Sequence, residues 1–191
     1  MEKAAQNNTR GYQKIESAVR AFSFDFRGKT VLDIGSSTGG FTELALKNGA
    51  KKVIAVEKGT HQMKAPLRFD PRVELHEKTD VFDFCLPLDA RPDVIVADVS
   101  FISLTKVLKY AIFNLTRPKT ELFVMVKPQF EAEPWQLNNG VVKNEKMRRE
   151  ILRKFEEWCR KNGLIILKKR DNDLRGKNGN LERFYLLMRS N

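Results

Sequence analysis

Seven short apolar runs alternate with helix-like segments along this chain, and that alternation is what most narrows the folds open to it. The runs fall at residues 30–34, 52–56, 73–76, 93–97, 121–126, 164–168 and 183–188. They are nearly continuous in apolar residues, which predicts strands of a sheet covered on both faces. Helical periodicity falls at residues 10–21, 39–48, 61–68, 104–115 and 145–162, the last of these stopped by Asn162-Gly163. Strand–helix alternation predicts a doubly wound sheet with right-handed crossovers. Ligands of such sheets bind beyond the carboxyl ends of the strands.

The 191 residues suffice for one such domain with its own core. There is no internal repeat and no low-complexity tract. Two long polar connections, 129–144 and 171–182, have the length and composition of lids or substrate-contacting segments. A net charge of +11 and a pI near 9.7 point to a polyanionic partner, either nucleic acid or an acidic membrane surface. The first twenty residues are polar and mixed in charge, without the apolar stretch of a signal peptide. The most apolar run, 122–126, falls far short of the roughly 18 residues of a membrane span. Cys85 and Cys159 have no CxxC spacing, as expected of reduced, buried thiols in a cytosolic protein. His61 and His76 are isolated, so no metal site is expected.

Asp33-Ile34-Gly35-Ser36-Ser37-Thr38-Gly39-Gly40-Phe41 joins the first strand to the following helix. Gly35 permits a tight turn, and Gly39-Gly40 let backbone approach a ligand closely. A nicotinamide-binding chain would carry G-x-G-x-x-G here. The turn instead resembles the first motif of class I methyltransferases, against which the methionine part of S-adenosylmethionine lies. Glu57 ends the second strand about 20 residues on, where an acid can accept hydrogen bonds from both ribose hydroxyls of a nucleoside. Asp80, after the third strand, stands where an acid commonly meets an adenine amino group.

Four further polar residues stand out by position. Asp98 and Lys127 each follow an apolar strand directly, Glu182 precedes the last strand, and Lys14 lies on the first helix. Such a group is either a salt-bridge network at the sheet's edge or a reaction centre.

Together the motifs resemble a known family. Arg10-Gly11-x-x-Lys14-Ile15-Glu16, the turn 33–42, Val96-Ala97-Asp98-Val99-Ser100-Phe101-Ile102-Ser103-Leu104 and Val126-Lys127-Pro128-Gln129-Phe130-Glu131 are similar to those of the TlyA/YqxC group of FtsJ-like rRNA methyltransferases, an older name for which is haemolysin. Gly140-Val141-Val142 and Gly179-Asn180-Leu181-Glu182 match as well, so the resemblance runs from about Arg10 to the end. It implies a single class I, Rossmann-like α/β domain over 1–191. The sheet would have seven mostly parallel strands with the last antiparallel, and helices would cover both faces. It also implies ribose 2′-O methylation of rRNA with S-adenosylmethionine as cofactor, in the cytoplasm. The family's catalytic tetrad falls on Lys14, Asp98, Lys127 and Glu182. Its cofactor site falls on Asp33, Gly35, Ser36, Ser37, Gly39, Gly40 and Glu57, with Asp80 and Asp98 nearby. We assign Lys127 as the base, Asp98 and Glu182 as orienting groups, and Lys14 as the contact to the target ribose or its phosphate.

Family members carry an N-terminal RNA-binding domain of ribosomal-protein type that these residues do not include. The sequence departs from the family at Thr9, Tyr12 and Glu133-Pro134-Trp135. RNA contacts are expected from Lys143, Lys146, Arg148, Arg149, Arg175 and Lys177, with Trp135 stacking on a base or packing on the lid. The alternatives are a membrane-active haemolysin, which calls for a strongly amphipathic membrane helix, and a catalytically silent protein that binds S-adenosylmethionine or RNA. Methylation of a base nitrogen would call for an Asp/Asn-Pro-Pro-aromatic motif where Asp98-Val99-Ser100-Phe101 stands.

Overall fold

In the computed structural model, which describes residues 10–176 and 178–190, every apolar run becomes a strand of one sheet. The strands are β1 (Thr30–Ile34), β2 (Lys52–Val56), β3 (Val73–His76), β4 (Val94–Ala97), β5 (Glu121–Val126), β6 (Leu137–Asn138), β7 (Val141–Val142), β8 (Leu164–Asp171) and β9 (Arg183–Arg189). The helices are α1 (Arg10–Phe22), α2 (Gly40–Lys47), α3 (Ala65–Arg68), α4 (Leu104–Asn114), α5 (Pro128–Glu131) and α6 (Glu145–Lys161). The large sheet has the order β3-β2-β1-β4-β5-β9-β8, and β6 pairs only with β7. From β3 to β5 all pairings are parallel, and β9 runs antiparallel to both its neighbours. Strand order reverses between β1 and β4, the switch point at which open α/β sheets bind ligands.

The strands divide their side chains between two cores. Leu122, Val124 and Val126 of β5 face α4 and α6, while Phe123 and Met125 face α1 and α2. This two-sided burial explains why the strands read as unbroken apolar runs. Ile15, Ala18, Val19 and Phe22 form the buried stripe of α1, with the spacing of a helix packed on one face.

Four expectations are corrected, the first being the burial of both thiols: Cys159 is buried but Cys85 is exposed. The helix expected over 61–68 is only Ala65–Arg68. His61 adopts a positive φ, and Pro66 has no N–H to give the carbonyl of residue 62. Strand β8 continues beyond 168 to Asp171 through a bulge between Ile166 and Lys168. Segment 129–144 is not an irregular loop but contains α5, a 3-10 turn at Pro134–Gln136 and the β6–β7 hairpin. Asn139 and Gly140 both have positive φ at the hairpin tip, as a type I′ turn requires.

Candidate active site

The carboxyl ends of β1, β2 and β4 open into a cleft of about 660 Å³, lined among others by Gly35, Ser37, Glu57, Asp80, Asp98 and Phe101. Gly35 has φ +78, and a Cβ there would lie 3.5 Å from the Asp98 carbonyl oxygen. Gly39, with φ +88, holds a left-handed conformation that glycine takes without strain, and a Cβ there would displace the end of the Leu67 side chain of α3.

The predicted cofactor residues divide into those that line the cleft and those behind it. Asp33, Ser36, Gly39 and Gly40 are not among the lining residues. The Asp33 carboxylate accepts a 2.6 Å hydrogen bond from Thr42 Oγ1, tying β1 to α2. Its other oxygen, Oδ1, is buried without a partner, as is Ser36 Oγ. Burial pushes the Asp33 carboxyl up to about 7, against the Thr42 hydrogen bond and with help from the negative charge of Asp98. Glu57 braces the turn: its carboxylate accepts from the Ser37 N–H at 2.9 Å and from the Gly59 N–H at 2.7 Å. Asp80 caps a 3-10 turn at Val81–Asp83 by accepting from the Phe82 N–H. The Lys58 ammonium, 2.9 Å away, holds the Asp80 carboxyl below the usual range.

The tetrad assembles as two ion pairs. Val126 faces Arg183 in the β5–β9 ladder, so the next position along sets Lys127 beside Glu182. Lys127 Nζ lies 2.7 Å from Asp98 Oδ1 and donates to Ser100 Oγ at 2.6 Å. Asp98 Oδ1 has no aligned hydrogen bond, so its contact with Lys127 is ionic rather than directed. Lys14 Nζ donates to Glu182 Oε2 at 2.6 Å, and both side chains are buried. Lys14, expected to contact the target ribose or its phosphate, has Glu182 as its partner within the protein.

Several site residues escaped the sequence reading. Phe101 is 92% exposed, adopts φ +64 and lines the cleft beside Asp98. Asn180 joins the two long connections: its Nδ2 donates to the Gly140 carbonyl and its Oδ1 accepts from the Val142 N–H. The sequence reading also misplaced Arg148. This residue is buried, its Nε donates to the Leu181 carbonyl at 2.9 Å, and its guanidinium pairs with Glu145 and Asp171. The signal was there, since Arg148 shares a helical stripe with Ile151, Leu152, Phe155 and Cys159. Lys143, Lys146 and Arg149 are exposed as expected. Arg175 is exposed too, and donates to the Gly179 carbonyl. Trp135 is largely exposed on its 3-10 turn. Thr9 and Lys177 lie outside the described residues. Among the described residues no cluster of His, Cys, Asp or Glu could hold a metal ion, and no helix is long and apolar enough to cross a membrane.

Comparison with known proteins adds three kinds of match. The model of the FtsJ-like methyltransferases matches residues 8–189. YqxC of Bacillus subtilis, a candidate rRNA methyltransferase, is 36% identical over 178 residues, covering 91% of this chain but 63% of its own length. TlyA of Campylobacter jejuni, a 23S rRNA (cytidine-2′-O)-methyltransferase, is 34% identical over 184 residues, which cover 95% of this chain and 71% of TlyA. Among solved structures, a Streptococcus thermophilus protein described as a hemolysin superposes with a TM-score of 0.90 at 33% identity, over 96% of this chain and 67% of that one.

Proposed function

The chain belongs to the FtsJ-like methyltransferase family, and we propose that it methylates a ribose 2′-hydroxyl of ribosomal RNA, in the cytoplasm, using S-adenosylmethionine. The observation that carries the reading is Lys127. It is a lysine at the end of a buried strand, with its Nζ between Asp98 and Ser100 at the edge of a carboxylate-lined cleft.

The residues present fit the cofactor. Glu57, Asp80 and Asp98 offer acceptors for ribose hydroxyls and amines along the cleft. At the turn, Gly35 and Ser37 face the cleft, and glycine at φ +78 leaves the backbone open to close approach by an amino-acid moiety. When bound, the cofactor supplies an electrophilic methyl group and keeps the electron pair of the broken carbon–sulfur bond.

For this step the Lys127 ammonium, paired at rest with Asp98, first gives up a proton to solvent, and the resulting amine takes the proton of the attacking 2′-hydroxyl. Ser100 Oγ already lies 2.6 Å from Nζ, the separation a substrate hydroxyl needs for that transfer. Asp98 steers the amine, and the buried Lys14–Glu182 pair sits at the adjoining position before β9. Phe101 presents a ring face on which a base can stack, and Lys143, Lys146, Arg149 and Arg175 are placed to meet phosphates.

The test is tritium transfer from labelled S-adenosylmethionine to unmodified ribosomal subunits and to free rRNA, alongside Lys127→Ala. Label in RNA that is lost in the variant and maps by nuclease digestion to a ribose supports the reading. Cofactor binding without transfer to either substrate would mark a silent binding protein instead.

A further inference from the structure

The segment from Lys127 to Glu131 meets the segment from Asp98 to Leu104 at three successive places. Lys127 Nζ contacts Asp98 and donates to Ser100. The Phe130 and Phe101 rings lie 5.2 Å apart. Glu131 closes the far end, its Oε2 accepting from Ser103 Oγ at 2.6 Å and its Oε1 from the Leu104 backbone N–H at 2.5 Å.

We propose that Glu131 is a positioning residue for methyl transfer: its carboxylate locks the loop bearing Asp98, Ser100 and Phe101 onto the turn bearing Lys127, and so sets the reach of the Lys127 amine. This rests on the function proposed above.

A role in capping α4 alone does not account for the arrangement. Ser103 occupies the N-cap position and is of the preferred type, which would ordinarily bond the helix's own N–H groups. Its side chain makes no such bond; the hydroxyl donates to Glu131 and contacts Thr105 Oγ1. The cap of this 11-residue helix comes instead from a residue 27 positions away. A local cap would stabilise α4 equally well but would leave the two site segments unlinked. The loop needs such a link, since it has no ladder of its own and holds Phe101 in the left-handed region. Helix α5 needs one as well, because four residues are too few for a self-supporting helix. Burial pushes the Glu131 carboxyl up, a cost that its two donors offset in part.

The test compares the full chain carrying Glu131→Ala or Glu131→Gln with wild type, using unmodified subunits. Misplacing a reacting group by about 1 Å costs up to about 100-fold in rate. Glu131→Ala is therefore expected to lower kcat about 10- to 100-fold while KM for RNA and the Kd for S-adenosylmethionine stay within about twofold. Glu131→Gln, which keeps one acceptor oxygen, is expected to recover part of the loss. Without RNA, the nitrogen resonance of the Lys127 side chain should move in Glu131→Ala. Wild-type kcat in Glu131→Ala, or a loss matched by a fall in folded fraction or cofactor affinity, would overturn the proposal. If wild type itself transfers no methyl group, the proposed function fails; the resonance still decides the positioning, and an unmoved Lys127 signal overturns it.

Discussion

The two lysine–carboxylate pairs of the site share one chemistry and differ in their surroundings. Lys14 and Glu182 join the first helix to the residue before the last strand, with side chains 9% and 3% exposed. Lys127 and Asp98 end neighbouring strands at the cleft, with side chains 10% and 21% exposed. The first pair is sealed, and its hydrogen bond is well aligned. In the second the directed hydrogen bond goes to Ser100, and Asp98 contributes charge. A sealed pair suits holding, because separating it leaves an uncompensated buried charge. The second pair opens on its Asp98 side, toward the cleft, and Lys127 itself is as buried as Lys14, so a substrate hydroxyl would reach the amine by taking the place of Ser100. Four residues expected to form one tetrad therefore need not do four equal jobs.

Removing each lysine in turn separates the two pairs most strongly. Lys127→Met is expected to lower turnover about 10²- to 10⁴-fold, the usual range for a lost acid–base group, with melting temperature and cofactor affinity little changed. Single-turnover methyl transfer beside calorimetric cofactor titration measures both. Lys14→Met should act on the fold instead, costing about 3–5 kcal/mol by leaving Glu182 charged and buried. Adding Glu182→Leu should return much of that loss, since an apolar replacement of both partners is often neutral. Urea unfolding of the single and double variants tests this. A Lys14→Met protein as stable as wild type would erase the distinction between the pairs.

Asp33 sharpens the comparison from another side, as a buried carboxyl whose partner is a hydroxyl rather than a cation. Burial raises its folded pKa to about 7, well above the roughly 3.9 of an unfolded chain. Between those values the folded state holds the proton that the unfolded state has released. Stability should therefore fall as pH rises from about 4 to about 7 and level off above, by a few kcal/mol at most. Asp33→Asn should flatten that decline, measured by urea unfolding at about pH 5 and about pH 8. An unchanged slope would mean that the carboxyl ionises freely in the fold.

The sequence carried the sheet because each strand is buried on both faces, which leaves a local and uninterrupted apolar signal. It carried the tetrad positions because three of the four residues flank strands. Their pairing was not legible, since Lys14 meets Glu182 across 168 residues and nothing local links them. The β6–β7 hairpin was legible in principle from Asn139-Gly140 but hidden within a polar segment. Arg148 was misread because its charge outweighed its place on the apolar stripe. The turn also mixes two jobs that sequence cannot separate. Gly35 and Ser37 face the cleft, while Asp33 and Ser36 lie buried behind it.

The smallest expected effect falls on Phe101, which stands on the cleft side of the same divide. Its ring is exposed, and its backbone holds the left-handed conformation, which costs a non-glycine residue about 1–2 kcal/mol. Glycine takes that conformation freely but loses more chain entropy on folding, so the two effects of Phe101→Gly nearly cancel. Unfolding stability should therefore change by less than about 1 kcal/mol in either direction. A stacked base is worth about 1–3 kcal/mol, so RNA affinity should weaken by about 5- to 150-fold. The opposite pattern, a marked loss of stability with unchanged RNA binding, would move Phe101 to the holding side, as a packing partner of Phe130 whose exposed face serves no substrate. Fluorescence-monitored urea unfolding and filter binding of unmodified rRNA, run on the same preparations, separate the two patterns. A bulky residue kept in a strained and solvated position gains little from the fold itself, which favours a substrate role for Phe101.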